Sequence, residues 1–235
     1  MPNAAPDNLP IVLVPGLNCS ARLYASQIPA LWRFGPVTVA DHTRDDSIAA
    51  IARRILAAAP PRFALAGLSM GGYLAFEIIR QAPQRVAKLA LLDTGARSES
   101  PQQSERRRPT IETAKNGGFR KVTDDSFFFF VHPDRYAALK DLVRLMADET
   151  GLEAYLRQQQ AIVTRPDSRP GLSAIKCPTV VVVGEQDNGT PPELAREIAH
   201  AISRSRLVVI PDCGHLSTIE RPEAVTEVLV EWMQS

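Results

Sequence analysis

The chain's 235 residues, 45% hydrophobic and 23% charged, suit a globular domain with a substantial core and exclude a disordered or fibrous chain. A formal net charge of +1 supplies no field to draw nucleic acid or an anionic membrane, so neither is expected as a partner. Three cysteines, Cys19, Cys177 and Cys213, cannot all pair and lack metal-ligand spacing; they read as reduced thiols, with no metal and no cofactor expected. Met1–Pro10 has no basic-then-apolar leader pattern and no run reaches spanning length, so the expected location is the cytoplasm.

Ile11-Val12-Leu13-Val14 is a continuous apolar run, the signature of a strand covered on both faces, and Pro15-Gly16-Leu17-Asn18 ends it. Ser20 can cap a following helix through Leu23, Tyr24, Ile28, Leu31 and Trp32, which Pro29 must bend. Val37 to Ala40 predicts a second strand. Asp45 or Asp46 then caps a helix with Ile48, Ile51, Ala52, Ile55 and Leu56 on one face. Phe63 to Leu68 is a third strand, and Gly67-Leu68-Ser69-Met70-Gly71 turns it directly into a helix. Val86 to Leu92 predicts a fourth strand ending at Asp93.

The strand–helix alternation stops there. Residues 97–171 hold no convincing buried strand, only helical stretches: one from Pro109 to Lys115 stopped by Asn116-Gly117-Gly118, one from Pro133 to Ala147, and one from Leu152 to Val163. Phe127 to Phe130 has strand propensity, but four aromatics in water would invite aggregation, so the segment must be covered or line a cavity. The reading is a helical lid over 97–171 inserted into a core of 1–96 and 172–235, with Phe128 and Phe129 as candidate substrate-binding rings. Alternation resumes with a strand at Thr179 to Val183. Thr190-Pro191-Pro192-Glu193 reads as a capping box opening a helix, Leu207 to Ile210 as the last strand, and Pro222 as the start of an amphipathic terminal helix.

The chemistry gathers at strand ends. A tight strand-to-helix turn with glycines on either side lifts the Ser69 hydroxyl to a helix N-terminus, the setting of a nucleophile. Serine needs a base and the base needs an orienting carboxylate. Of four histidines, His42 precedes Ser69, while His132 and His200 lie in the insertion and in a helix; His215 alone follows a late strand. Asp187 follows the preceding strand and is the preferred carboxylate, with Asp93 its rival. Two backbone donors for an oxyanion are expected at Leu17, after the first strand, and at Met70, after the nucleophile. A histidine base predicts activity rising through about pH 6.5.

These motifs, with Gly184-Glu185-Gln186-Asp187, Cys213-Gly214-His215-Leu216 and Glu220-Arg221-Pro222-Glu223, resemble those of the α/β-hydrolase superfamily, above all its small bacterial carboxylesterases and enol-lactonases. The resemblance implies an α/β-hydrolase fold, with a mostly parallel sheet of about six strands flanked by helices and the insertion over the pocket mouth. The superfamily's usual His-Gly in the oxyanion loop is Pro15-Gly16 here, so only the backbone role carries over. Serine at position 69 sets the chain apart from the haloalkane dehalogenases and epoxide hydrolases of that superfamily, which carry Asp there.

The expected activity is hydrolysis of a small-molecule carboxylic ester through an acyl-serine, by a monomer or homodimer. Enol-lactone, thioester or carbon–carbon bond hydrolysis and perhydrolysis would use the same parts. A ligand receptor with little turnover is the reading from a different class.

Overall fold

The apolar runs become strands because helices bury them from both sides. In the computed structural model, which describes residues 8–235, β1 (Ile11–Val14), β2 (Val37–Val39), β3 (Phe63–Leu68), β4 (Val86–Leu92), β5 (Thr179–Gly184) and β6 (Ser205–Ile210) form one sheet in the order β2-β1-β3-β4-β5-β6. Every neighbouring pair is parallel. The expectation about Met1–Pro10 falls mostly outside the described residues. No helix among them is long and apolar enough to cross a membrane, and no group of three or more His, Cys, Asp or Glu is placed to hold a metal ion.

Alternation along each strand divides the core in two. Ala64, Ala66 and Leu68 of β3 face one way, against Leu31 of α1 (Ile28–Leu31) and Leu229 of α10 (Pro222–Gln234). Phe63 and Leu65 face the other way, against Ile51 of α2 (Ile48–Ala58), Leu74 of α3 (Met70–Gln81) and Ile198 of α8 (Pro192–Ala201). Each large side chain fully buried in this way contributes roughly 1.5–3 kcal/mol.

Local details depart from the sequence reading where a side chain finds a better partner. Ser47, rather than Asp45 or Asp46, caps α2, accepting from Ala50 N–H at 3.3 Å, because Asp45 is held by the Arg54 guanidinium at 2.6 and 3.0 Å. The single helix expected after Ser20 is split into 3-10 turns at Ala21–Tyr24 and Trp32–Phe34 on either side of the short α1. Thr190 does not cap α8, whose N-cap is Pro191; its hydroxyl is engaged by Asp187 instead.

Between β4 and β5 the chain makes α4 (Pro101–Thr113), α5 (Phe119–Phe130), α6 (Tyr136–Thr150) and α7 (Leu152–Val163), and α9 (Ser217–Glu220) follows β6. The stop at Asn116-Gly117-Gly118 is a kink, with Gly117 at φ 87°. Phe127 to Phe130 form the last turn of α5 rather than a strand. Phe127, Val131, Leu139 and Met146 join the same core as β3 and α10, so the insertion is packed onto the sheet.

The strand order reverses between β1 and β3, and ligands of open parallel sheets bind beyond the strand C-termini at such a switch point. The loops after β1 and β3 carry Leu17 and Ser69. They can approach this closely because Gly71 has no side chain: a Cβ there would run into the Val14 carbonyl.

Candidate active site

Ser69 sits at φ 56°, ψ −113°, a conformation that side-chain-bearing residues avoid and that costs on the order of 1–3 kcal/mol. The turn is held by Ser69 N–H donating to the Leu92 carbonyl at 2.9 Å and by the Thr94 hydroxyl donating to the Ser69 carbonyl at 2.8 Å. Its Oγ lies 2.8 Å from His215 Nε2. His215 Nδ1 lies 2.9 and 2.8 Å from the two oxygens of Asp187. A carboxylate only accepts, so Nδ1 carries the proton and Nε2 is left to accept from the serine hydroxyl.

Asp187 is itself fixed. Its Oδ1 accepts from the N–H groups of Gly189 and Thr190 at 2.7 and 2.8 Å, and Oδ2 accepts from the Thr190 hydroxyl at 2.8 Å. Burial works to raise the Asp187 carboxyl, but the His215 charge and these hydrogen bonds hold it below its ordinary value. Burial likewise works against the His215 imidazolium, and the Asp187 charge and hydrogen bond outweigh it, raising the histidine above its ordinary 6.5.

Asp93 is fully buried but makes no hydrogen bond to His215. Its oxygens accept from Gly184 N–H at 3.0 Å and Ser217 N–H at 3.2 Å, tying the loop after β5 to the loop after β6. Burial, reinforced by the Asp187 charge, pushes its carboxyl up to about 8.

Two further residues to which the sequence analysis gives no role position the site. Glu220, 3% exposed, accepts through Oε1 from Leu216 N–H at 2.8 Å. Through Oε2 it accepts from Gly214 N–H at 2.9 Å and His132 N–H at 2.8 Å, so it brackets His215 and ties its loop to the end of α5. His215 N–H also donates to the Phe130 carbonyl at 2.8 Å. His42 is buried and its Nε2 lies 2.9 Å from the Gly16 carbonyl, where only a protonated nitrogen can bond. Gly16 C=O and Leu17 N–H belong to one planar trans peptide, so holding the carbonyl aims the Leu17 N–H the opposite way. The signal for both was present in part: Glu220 lies five residues after His215, and His42 follows β2.

Neither Leu17 N–H nor Met70 N–H has a hydrogen-bond partner among the described residues, whereas Asn18 N–H is taken by Gln158 Oε1 at 2.9 Å. Leu17, Ser69 and His215 line a cavity of about 150 Å³, room for a group on the order of a benzene ring. Cys19 lines it too, but burial pushes its thiol up to about 12, so it is a neutral thiol near neutral pH.

Phe128 and Phe129 do not line this cavity, which corrects the expectation from sequence. They are 46% and 52% exposed, and the cavity wall is made by Phe127 and Phe130. Helical spacing is the reason: residues three apart share a face, and the two between them point away. Phe128 packs instead against Tyr136, and Phe130 lies over the His215 ring with centroids 4.8 Å apart.

The chain is similar to known hydrolases in sequence and in fold. The model of the alpha/beta hydrolase family matches residues 11–228. A thermophilic esterase from Thermogutta terrifontis, solved with malate bound, is 31% identical, with a TM-score of 0.86 over 96% of this chain and 89% of its own. The enol-lactonase from Burkholderia xenovorans LB400 is 26% identical, with a TM-score of 0.84 over 97% of this chain and 92% of its own. An Escherichia coli 2-hydroxy-6-oxononadienedioate/2-hydroxy-6-oxononatrienedioate hydrolase is 28% identical over 183 residues, 72% of this chain and 61% of that enzyme. A six-stranded parallel sheet with a serine at its switch point and a family match over nearly the whole length make this chain a member of the alpha/beta hydrolase family.

Proposed function

We propose that this protein is a serine hydrolase that cleaves a carboxylic ester of a small molecule through an acyl-Ser69 intermediate. The observation that carries the reading is the unbroken hydrogen-bonded line from Ser69 Oγ through His215 to Asp187, opening on a cavity. Ser69 Oγ attacks the ester carbonyl as its proton passes to His215 Nε2, and Asp187 stabilises the imidazolium. The oxyanion is held by the N–H groups of Leu17 and Met70, which have no other partner among the described residues, and His42 keeps the first of these aimed. Collapse expels the alcohol, which takes the proton from His215. Water, deprotonated by the same nitrogen, then releases the acid and frees Ser69. Helices α4 to α7 act as the lid, with Phe127 and Phe130 as its apolar wall.

Lactones, thioesters and activated carbon–carbon bonds present the same electrophilic carbonyl, and the enol-lactonase and dioate-hydrolase relatives favour including them as the second reading. The test is p-nitrophenyl acetate turnover with a pre-steady-state burst. kcat/KM is expected to rise with pH as neutral His215 becomes available, through an apparent pKa above 6.5, because Asp187 stabilises the protonated form. Absence of turnover, or a flat profile from about pH 5 to 9, would overturn the reading.

His42 supplies a separate check. His42→Ala frees the Gly16–Leu17 peptide and is expected to lower kcat by roughly 10-fold or more, short of the 10²–10³-fold typical of deleting an oxyanion donor outright. KM should stay within about twofold, because the donor acts on charge that develops after binding.

A further inference from the structure

The cavity wall carries two guanidinium groups, Arg107 and Arg165, and none of its lining residues is Asp or Glu. Both arginines share one carboxylate, Glu99, which lies behind the wall with its side chain 1% exposed. Arg107 Nε donates to Glu99 Oε1 at 2.8 Å and Arg165 Nη1 donates to Oε2. Burial works to raise the Glu99 carboxyl, but the two guanidiniums hold it below its ordinary value, so it is ionised near neutral pH. The two guanidiniums share this one carboxylate where Arg165's side chain is only 6% exposed, and the other carboxylate near Tyr73, Asp187, is taken up by His215 and Thr190, so positive charge is in local excess beside Tyr73.

The remaining bonds of Arg165 sharpen the point. Its Nε donates to the Arg97 carbonyl at 3.0 Å and Nη1 also donates to the Ile162 carbonyl at 2.9 Å, while Nη2 has no hydrogen-bond partner among the described residues. The guanidinium lies 4.6 Å from the centre of the Tyr73 ring, and Tyr73 stands one helical turn beyond Ser69 on α3. Tyr73 lines the same cavity, and its hydroxyl makes no hydrogen bond among the described residues. Arg107 engages all three of its nitrogens, Nε and Nη2 with Glu99 at 2.8 and 3.4 Å and Nη1 with Gln159 Oε1 at 2.6 Å, so of the two guanidiniums it is Arg165 that keeps a nitrogen without a partner among the described residues. An unbalanced buried charge is costly unless a ligand neutralises it.

We infer that the end of the cavity formed by Tyr73, Arg107 and Arg165 is a carboxylate subsite, so that the preferred substrate is an ester bearing a second, free carboxylate. One guanidinium nitrogen and one hydroxyl without partners among the described residues are two donors, the number that the two oxygens of a carboxylate can take up. The two carboxylate oxygens can accept from Arg165 Nη2 and the Tyr73 hydroxyl, with Arg107 adding charge. The small volume limits the spacer between ester and carboxylate to a few carbons.

The kinetic arm of the test rests on the proposed hydrolase reading; the binding arm does not. Two substrate pairs place the charge on either side of the ester: p-nitrophenyl hydrogen adipate against p-nitrophenyl 6-methylheptanoate, and 4-carboxyphenyl butyrate against its methyl ester. After correction for each ester's reactivity toward hydroxide, the anionic member of at least one pair is expected to have a kcat/KM at least 10-fold higher. Arg165→Gln is expected to lower that ratio 10-fold or more, and Arg107→Gln to lower it less. A ratio of one or below in both pairs would overturn the inference, as would a ratio that neither variant changes. If Arg165→Gln does not fold, Arg107→Gln and Tyr73→Phe decide by the same ratio. Calorimetric titration of the Ser69→Ala protein with the adipate and methylheptanoate esters reads the subsite without turnover. Tighter binding of the adipate ester by Ser69→Ala, together with a wild-type protein that hydrolyses none of the esters, would leave the subsite standing and remove the hydrolase reading. Equal binding, with no anion preference in turnover, would remove the subsite.

Discussion

Ser69→Ala is expected to lower kcat on p-nitrophenyl acetate by roughly 10⁴-fold or more while leaving the fold intact. Only Oγ is lost, and its contact is the single bond to His215 Nε2 at 2.8 Å. The backbone that shapes the turn is held by bonds from Ser69 N–H and to the Ser69 carbonyl, which alanine retains. Alanine is as strained as serine at φ 56°, so its Tm should match wild type within a few degrees. Ser69→Gly separates the two roles. It is equally inactive, yet glycine adopts this conformation without a steric penalty, so its Tm should be the highest of the three. Circular dichroism melts and p-nitrophenolate release measure both quantities. More than about a tenth of wild-type kcat in either variant would take the nucleophile away from Ser69.

Two buried aspartates near the histidine should fail in opposite ways. In Asp187→Asn, the amide oxygen keeps the two backbone donors at Gly189 and Thr190 and the NH2 turns toward His215 Nδ1. The imidazole must then accept at Nδ1 and carry its proton on Nε2, facing Ser69, where a base is needed. kcat is expected to fall on the order of 10⁴-fold with only a modest loss of stability. Asp93→Asn leaves the His215 tautomer alone but sets an NH2 against the N–H of either Gly184 or Ser217. One unsatisfied buried donor costs roughly 1–3 kcal/mol, so this variant should lose Tm and keep most of its kcat. Urea melts and kcat measured on both proteins give the ranking, and the reverse order would move the orienting carboxylate to Asp93.

Much of this was legible because burial on two faces writes itself plainly. Ile11-Val12-Leu13-Val14 and Thr179 to Val183 have no polar face to alternate with, and both are strands buried along their length. Chain order alone placed Ser69, Asp187 and His215 just past β3, β5 and β6, and the fold brings them into hydrogen-bond contact. What stayed hidden depends on contacts distant in sequence or on competing partners. Phe127 to Phe130 have strand propensity, yet α5 takes them, and helical phase then decides which two rings line the cavity. Thr190 reads as a cap because the sequence alone does not show that Asp187, three residues earlier, claims its hydroxyl. Arg165 and Glu99 meet across 66 residues of chain, so nothing in the sequence pairs them.

The contacts between His215 N–H and the Phe130 carbonyl, and between Glu220 and His132 N–H, bear on how such proteins diversify. They are backbone bonds on the insertion's side, so they tolerate new side chains there but not a new path for the chain. Point changes on α4 to α7 away from Phe130, whose ring lies over His215, can alter the cavity wall and leave these two backbone bonds in place. Recombination is different: a chimera that imports a whole insertion from a relative also imports the carbonyl and amide against which the histidine loop is seated. If those two groups arrive at another spacing, the imported pocket comes with a displaced His215. The junction at residues 130–132 and Glu220 therefore have to be inherited together, and crossover points that separate them should yield folded but idle proteins.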